Sequence, residues 1–312
     1  MVKTLTCLNG AAASHFGFGT MQFGGRADER ACHEMFDAAR CAGITHFDTA
    51  NVYTEGHSER ILGQLCAADR DSLLIATKAN AAGGSTRKNI LASFDLSRQR
   101  LQLDQVDLFY LHRFDPNTPL EETFDVLAEL KAKRQIRYIG VSNFAAWQVM
   151  KAVSVAKDRD LTIDAVQPMY SLVKRQVEVE ILPMAQDQNI LVAAYSPLGG
   201  GLLTGKYANG GTGRLTQDSA YAARYANEWM HKTAQDLLGV AQELSVSPAT
   251  LAVAWVAAHE TQPLPLLSAR SLEQLQPSLD AIDFGLSDTL YQRLSALSPT
   301  PAPATDRSET PA

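Results

Sequence analysis

From residue 15 to about residue 280, short apolar runs alternate with segments whose apolar positions recur at helical spacing. Eight runs read as buried strands: HFGFGT, THFD, LLIATK, VDLFYLH, IRYIGVS, AVQPM, ILVAAYS and LPLLS. Each is short, rich in β-branched or aromatic residues, and bounded by turn-forming ones. The helical segments carry end signals. ERACHEMFDAARCAG stops at Gly43, a residue type favoured just past a helix C-terminus. LEETFDVLAELKAKRQ places acidic residues in its first turn and basic ones in its last, which suits the helix dipole. Strands that alternate with helices predict parallel β/α units, and eight of them predict a closed (β/α)8 TIM barrel.

Two stretches depart from this alternation. Residues 199 to about 225, GGGLLTGKYANGGTGRLTQDSAYAARY, follow the seventh strand and are too long for an ordinary connection. Their glycine density predicts mobility or a close backbone approach to a ligand. A helix pair follows, HKTAQDLLGVAQELSV and SPATLAVAWVAAHE, with Ser247 as cap and Pro248 in the first turn of the second. No composition break divides the chain, so one barrel domain is expected over residues 1–298. The Pro/Thr/Ala-rich tail, residues 299–312, is expected to be disordered.

Composition narrows the class. A chain of 312 residues, 46% hydrophobic and 20% charged, is that of a globular enzyme with ample core. A net charge of −6 argues against a nucleic-acid partner, which needs a basic face. The N-terminal stretch lacks the pattern of a signal peptide, and no apolar run reaches membrane-spanning length. With four cysteines in no CxxC or paired spacing, the reading is a cytoplasmic protein with reduced thiols; no exposed apolar helix face is evident in the pattern, so a monomer acting on a small molecule is expected.

Candidate chemistry sits at the strand ends. HFDTANVY, LLIATK and DLFYLH present Asp48, Tyr53, Lys78 and His112 where core strands give way to loops. In one parallel barrel these side chains converge at the rim. A phenol, an ammonium, a carboxylate and an imidazole together can deliver a proton to a carbonyl oxygen. Two other readings share these residues. His46 and Asp48 form an HxD pair such as metal-dependent barrel hydrolases use, with His112 the sole further ligand candidate. Lys78 alone is compatible with Schiff-base chemistry. Neither accounts for GVSNF, Tyr195 or the glycine-rich segment. Trp147, Trp229 and Trp255 lie in helical patterns and are expected to be core.

Taken together, the motifs resemble the aldo-keto reductase family over nearly the whole barrel. GITHFDTANVYTEGHSERILG is similar to the family signature, IATKAN supplies the matching lysine, and DLFYLHRFDPNTPLEET supplies the histidine. The segment GGGLLTGK resembles the bacterial and aryl-alcohol or sugar reductase branch. The resemblance implies hydride transfer between a nicotinamide cofactor and a carbonyl, with Tyr53 as acid, Lys78 and Asp48 tuning it and His112 orienting the substrate. NADPH is the implied cofactor, with NADH possible; the usual GxGxxG fingerprint is missing, and the resemblance implies that the dinucleotide lies across the barrel mouth instead. Ser142, Asn143 and Gln167 would hold the carboxamide and Tyr195 would stack on the ring. Gly19, Thr20, Met21 and Asp48 would border the nicotinamide half. Ser196, Pro197, Leu198, Gly200, Leu202 and Lys206 would fold over the pyrophosphate. Ser268, Arg270 and Gln274 would carry the adenosine end, Arg270 meeting a 2′-phosphate. Here the chain departs from the family, which usually has glycine at Ser268 and an acidic-plus-Asn pair at Pro277 and Ser278. The substrate pocket is read as Met21, Phe23, Arg113, Phe114 and Tyr170. A second reading, a cofactor-holding module that does not turn over, follows from the likeness to potassium-channel β subunits.

Overall fold

The computed structural model describes residues 3–79 and 81–305. Of the expected disordered tail, the part from residue 306 onward lies outside the described residues. Eight parallel strands close into one barrel in sequence order. Chain order runs β1 (Gly17–Gly19), α1 (Glu29–Cys41), β2 (His46–Asp48), α2 (His57–Cys66), β3 (Leu74–Ala79), α3 (Arg87–Leu101) and β4 (Val106–Leu111). It continues through α4 (Leu120–Ala132), β5 (Ile136–Ser142), α5 (Ala146–Lys157), β6 (Ala165–Gln167), α6 (Ile181–Asp187) and β7 (Leu191–Tyr195). After β7 come short helices α7 (Arg214–Gln217) and α8 (Ser219–Arg224), then α9 (Glu228–Leu244), α10 (Pro248–Ala257) and β8 (Leu264–Leu267). Helices α11 (Leu272–Leu279) and α12 (Asp288–Ser295) finish the chain.

The strand period of two sorts the core into an inside and an outside. Leu74, Ala76, Leu108, Tyr110, Ala165 and Ala193 share the barrel interior. Their neighbours Phe47, Ile75, Phe109, Val141 and Val166 face the helices in the larger cluster. Leu5 and Cys7 of the N-terminal segment join the interior set, anchored by an antiparallel bridge from Thr6 to Ala12. The same alternation aims every inward residue at a strand's C-terminal end toward one mouth.

Three helix details bear on that mouth. Ser247 caps α10, accepting from Ala249 N, with Pro248 in the first turn as expected. Ala145 is the N-cap residue of α5, and Gln148 accepts from the Ala145 amide at 2.8 Å. Trp255 is fully buried, but Trp147 is 63% exposed, which corrects its reading as core. All four cysteines are free thiols. Among the described residues no single helix is long and apolar enough to cross a membrane.

Candidate active site

Asp48 closes β2, Lys78 is the penultimate residue of β3, and His112 directly follows β4. Tyr53 opens the tight turn Tyr53–Gly56 that leads into α2. All four side chains meet at the barrel mouth. The fully buried Lys78 ammonium donates to Asp48 Oδ1, to Thr49 O at 2.7 Å and to Tyr53 Oη at 3.4 Å. Its Nζ lies 5.0 Å from the centroid of the Tyr53 ring. Tyr53 and His112 meet edge to face, ring centroids 5.9 Å apart.

Electrostatics set the protonation states. Burial opposes charge on Lys78, but Asp48 and Tyr53 outweigh it and hold the pKa above the ordinary lysine value. Burial raises the Tyr53 phenol above its ordinary value, with Lys78 pulling the other way and Asp48 adding to the rise. The ammonium thus moderates the phenol without overcoming its desolvation. Burial, reinforced by Lys78 and Arg113, lowers His112 to about 3. The site therefore offers a protonated phenol, a charged lysine and a neutral imidazole.

A second ring of residues is tied to the first by hydrogen bonds. Ser142 ends β5 opposite Gln167, which ends β6. Gln167 Nε2 donates to Asp48 Oδ2 at 2.9 Å, and Ser142 Oγ donates to the Gln167 carbonyl at 3.0 Å. Asn143 Nδ2 donates to the His112 carbonyl at 3.0 Å, and Asn143 Oδ1 accepts from the Tyr195 hydroxyl at 2.7 Å. Asn143 and Ser196 both adopt left-handed backbone, φ 57° and 58°, uncommon for side-chain-bearing residues and concentrated at functional sites.

These residues line a cavity of about 560 Å³ that runs from the tetrad to the start of α11. Gly19, Met21, Asp48, Tyr53 and His112 border its inner end, with Ser142, Asn143, Gln167 and Tyr195 beside them. Ser196, Pro197, Leu198, Gly200 and Lys206 form the wall after β7. Ser268, Arg270 and Gln274 line the far end, together with Pro277 and Ser278.

Several sequence-based assignments need correction. Thr20 is fully buried, its hydroxyl engaged with the Asp48 carbonyl and Ser58, so it supports the site from behind. Leu202 is core and borders a smaller, separate cavity. Phe23 is fully buried against Phe18, and Tyr170 is buried against Trp255 with its hydroxyl on Glu178. Neither reaches the cavity, because each turns its ring into the packing layer. Phe114 packs edge-on to Phe144 and Trp147 outside the cavity, and Arg113 is exposed next to His112. Sequence reading missed Arg26, Arg214 and Tyr221, which do line the cavity. Arg214 stands alone among glycines in GGTGRLT, a signal that was available; Tyr221 in an alanine-rich stretch carried none. Around His46 and Asp48, no group of three or more metal-ligating side chains forms among the described residues.

Comparison with known proteins agrees with this geometry. The model of the Aldo/keto reductase family matches residues 15–299. An uncharacterized oxidoreductase, YrpG of Bacillus subtilis (strain 168), is 32% identical, covering 94% of this chain and 94% of that one. L-glyceraldehyde 3-phosphate reductase of Escherichia coli (strain K12) is 34% identical over 77% of this chain and 75% of its own length. A probable voltage-gated potassium channel subunit beta of Oryza sativa subsp. japonica is 32% identical over 88% and 89%. The chain belongs to the aldo/keto reductase family and is an NAD(P)H-dependent oxidoreductase.

Proposed function

We propose that this protein reduces aldehydes or ketones with NADPH in preference to NADH, and that Tyr53 is the proton donor. One observation carries the reading: a fully buried Lys78 ammonium bonded to both Asp48 and the Tyr53 phenol, at the inner end of a cavity whose far side is cationic.

The cavity fits a dinucleotide. At its outer half Lys206, Arg214 and Arg270 supply positive charge. A Cβ on Gly201 or Gly213 would come within 3.0 or 2.7 Å of Lys206 Nζ, so the bare backbone of both glycines lies close beside that ammonium. Lys206 and Arg214 would hold the pyrophosphate, and Arg270 the 2′-phosphate in bidentate fashion. At the inner end Ser142, Asn143 and Gln167 would hold the carboxamide, with the Tyr195 ring beside it. When bound, the reduced cofactor supplies the hydride.

The remaining work falls to the tetrad. Tyr53 gives its proton to the substrate oxygen as negative charge grows there. Lys78 stabilises the phenolate left behind, and Asp48 fixes Lys78 in place. The neutral His112 donates an N–H to the carbonyl oxygen and orients it. In the reverse direction the phenolate removes the alcohol proton. The relation to a channel subunit in rice motivates a second reading, a module that holds the cofactor without turnover.

A carbonyl panel decides between them. Loss of NADPH absorbance at about one turnover per second or faster supports the reductase. Tight NADPH binding without turnover across the panel would favour the module. Fluorescence titrations giving equal affinities for NADH and NADPH would remove the cofactor preference.

A further inference from the structure

Beyond the cations of its outer half, the cavity ends in a slot between α10 and α11. Ser247 and Ala249, at the start of α10, line one side, and Gln274, Pro277 and Ser278 of α11 line the other. The last three stand at i, i+3 and i+4, so they share one helix face. Thr250 of α10 donates to the Pro277 carbonyl at 2.7 Å and ties the two helices together.

One group in this slot has no partner within the protein. Ser278 is 2% exposed, lines the cavity and makes no side-chain hydrogen bond among the described residues. A buried hydroxyl left unpaired costs free energy, so its partner comes from whatever fills the slot. The Gln274 amide, on the same face, is also unbonded among the described residues. Ser247 Oγ accepts from the Ala249 amide at 3.2 Å and keeps its own O–H to donate.

The slot also lacks negative charge. Asp48, at the inner end, is the one carboxylate lining the cavity among the described residues. On α11, Asp280 is exposed and accepts from Gln276 at 2.8 Å, and Glu273 is exposed outside the cavity lining. Each polar side chain of the slot is therefore a hydroxyl or an amide, which can donate as well as accept, whereas a carboxylate only accepts. Pro277 and Ser278 are the two positions where the chain departs from its family's acidic-plus-Asn pair.

We propose that this slot holds the second base of the dinucleotide without reading its 6-position. The protein then takes a dinucleotide whose purine bears a 6-oxo group as well as NADPH, whose purine bears a 6-amino group. This rests on the placement proposed above, with nicotinamide at Tyr195 and the 2′-phosphate at Arg270. The base is joined to the ribose that carries that phosphate, so a phosphate on Arg270 sets the base against the start of α11. Deamination turns the 6-amino donor into a carbonyl acceptor and the N1 acceptor into an N–H donor. Ser278 meets either pattern by rotating its hydroxyl, and Gln274 by turning its amide. Contacts with Ala249 and Pro277 are apolar and indifferent to the change.

Titrating the full chain with NADPH and with its reduced hypoxanthine analogue, each followed by nicotinamide fluorescence, tests the proposal. The two dissociation constants should agree within about twofold, against the order of tenfold that one lost hydrogen bond would give. Ser278→Asp adds an acceptor-only group and should favour NADPH by about tenfold. Gln274→Glu, at an exposed position that leaves the core untouched, should move the ratio the same way. A preference of about tenfold for either form in the unaltered protein overturns the proposal, and so does a ratio that neither acidic variant moves. If neither dinucleotide binds, the cofactor reading falls and this inference with it.

Discussion

Tyr53 is a weak acid that its surroundings make weaker, and this suits a proton donor. A phenol that ionised at neutral pH would have no proton to give. Burial keeps it protonated, while Lys78, 3.4 Å away, stands ready to stabilise the phenolate once the proton has left. His112, lowered to about 3, stays neutral across the working range. The pH dependence of reduction follows with a definite sign. With cofactor saturating, kcat/KM should be flat through neutral pH and fall only above the ordinary phenol value of 10, as Tyr53 loses its proton. An inflection near the ordinary imidazole value of 6.5, with activity lost as pH rises, would instead make a protonated His112 the acid.

At the scale of elements, the site depends on how the Tyr53 turn is clamped. Gly56 ends that turn at φ 89°, and a Cβ there would come within 2.3 Å of Arg100 Cζ. Arg100, from α3, donates to the Asn51 carbonyl at 2.7 Å and pairs with buried Glu59 at 3.3 Å, so it ties the turn to α2 and α3. Gly56→Ala should add backbone strain and displace Arg100, costing about 1–3 kcal/mol of stability. Urea denaturation should show the lowered midpoint, and turnover should fall because Tyr53 shifts. An unchanged midpoint with unchanged turnover would mean the clamp is unimportant. The strands themselves were legible from periodicity, although AVQPM yields a strand only over Ala165–Gln167, because Pro168 has no N–H for the ladder. The stretch after β7 was legible only as irregular. Its short helix α8, begun where Asp218 accepts from the Ala220 and Tyr221 amides, depends on one cap and on packing rather than on a long apolar period.

At the scale of the whole molecule, what could be read in advance follows from geometry. Asp48, Lys78, Ser142 and Gln167 lie at or next to the ends of strands β2, β3, β5 and β6, so closing the barrel is enough to gather them. Tyr221 reaches the cavity only through the path of the segment after β7, which no local pattern encodes, whereas the glycines around Arg214 did mark that residue. Phe23 and Tyr170 were misplaced because an aromatic residue reads the same in a core as in a pocket, and only burial separates the two. The chemistry of the whole molecule turns on the phenol at the end of the Asp48–Lys78 chain being the proton donor. Tyr53→Phe tests it most directly, with NADPH affinity followed by fluorescence and turnover by NADPH oxidation. NADPH should still bind, while turnover should drop by about 10² to 10⁴, or roughly 3–5 kcal/mol of barrier. Turnover close to that of the unaltered protein would contradict the claim.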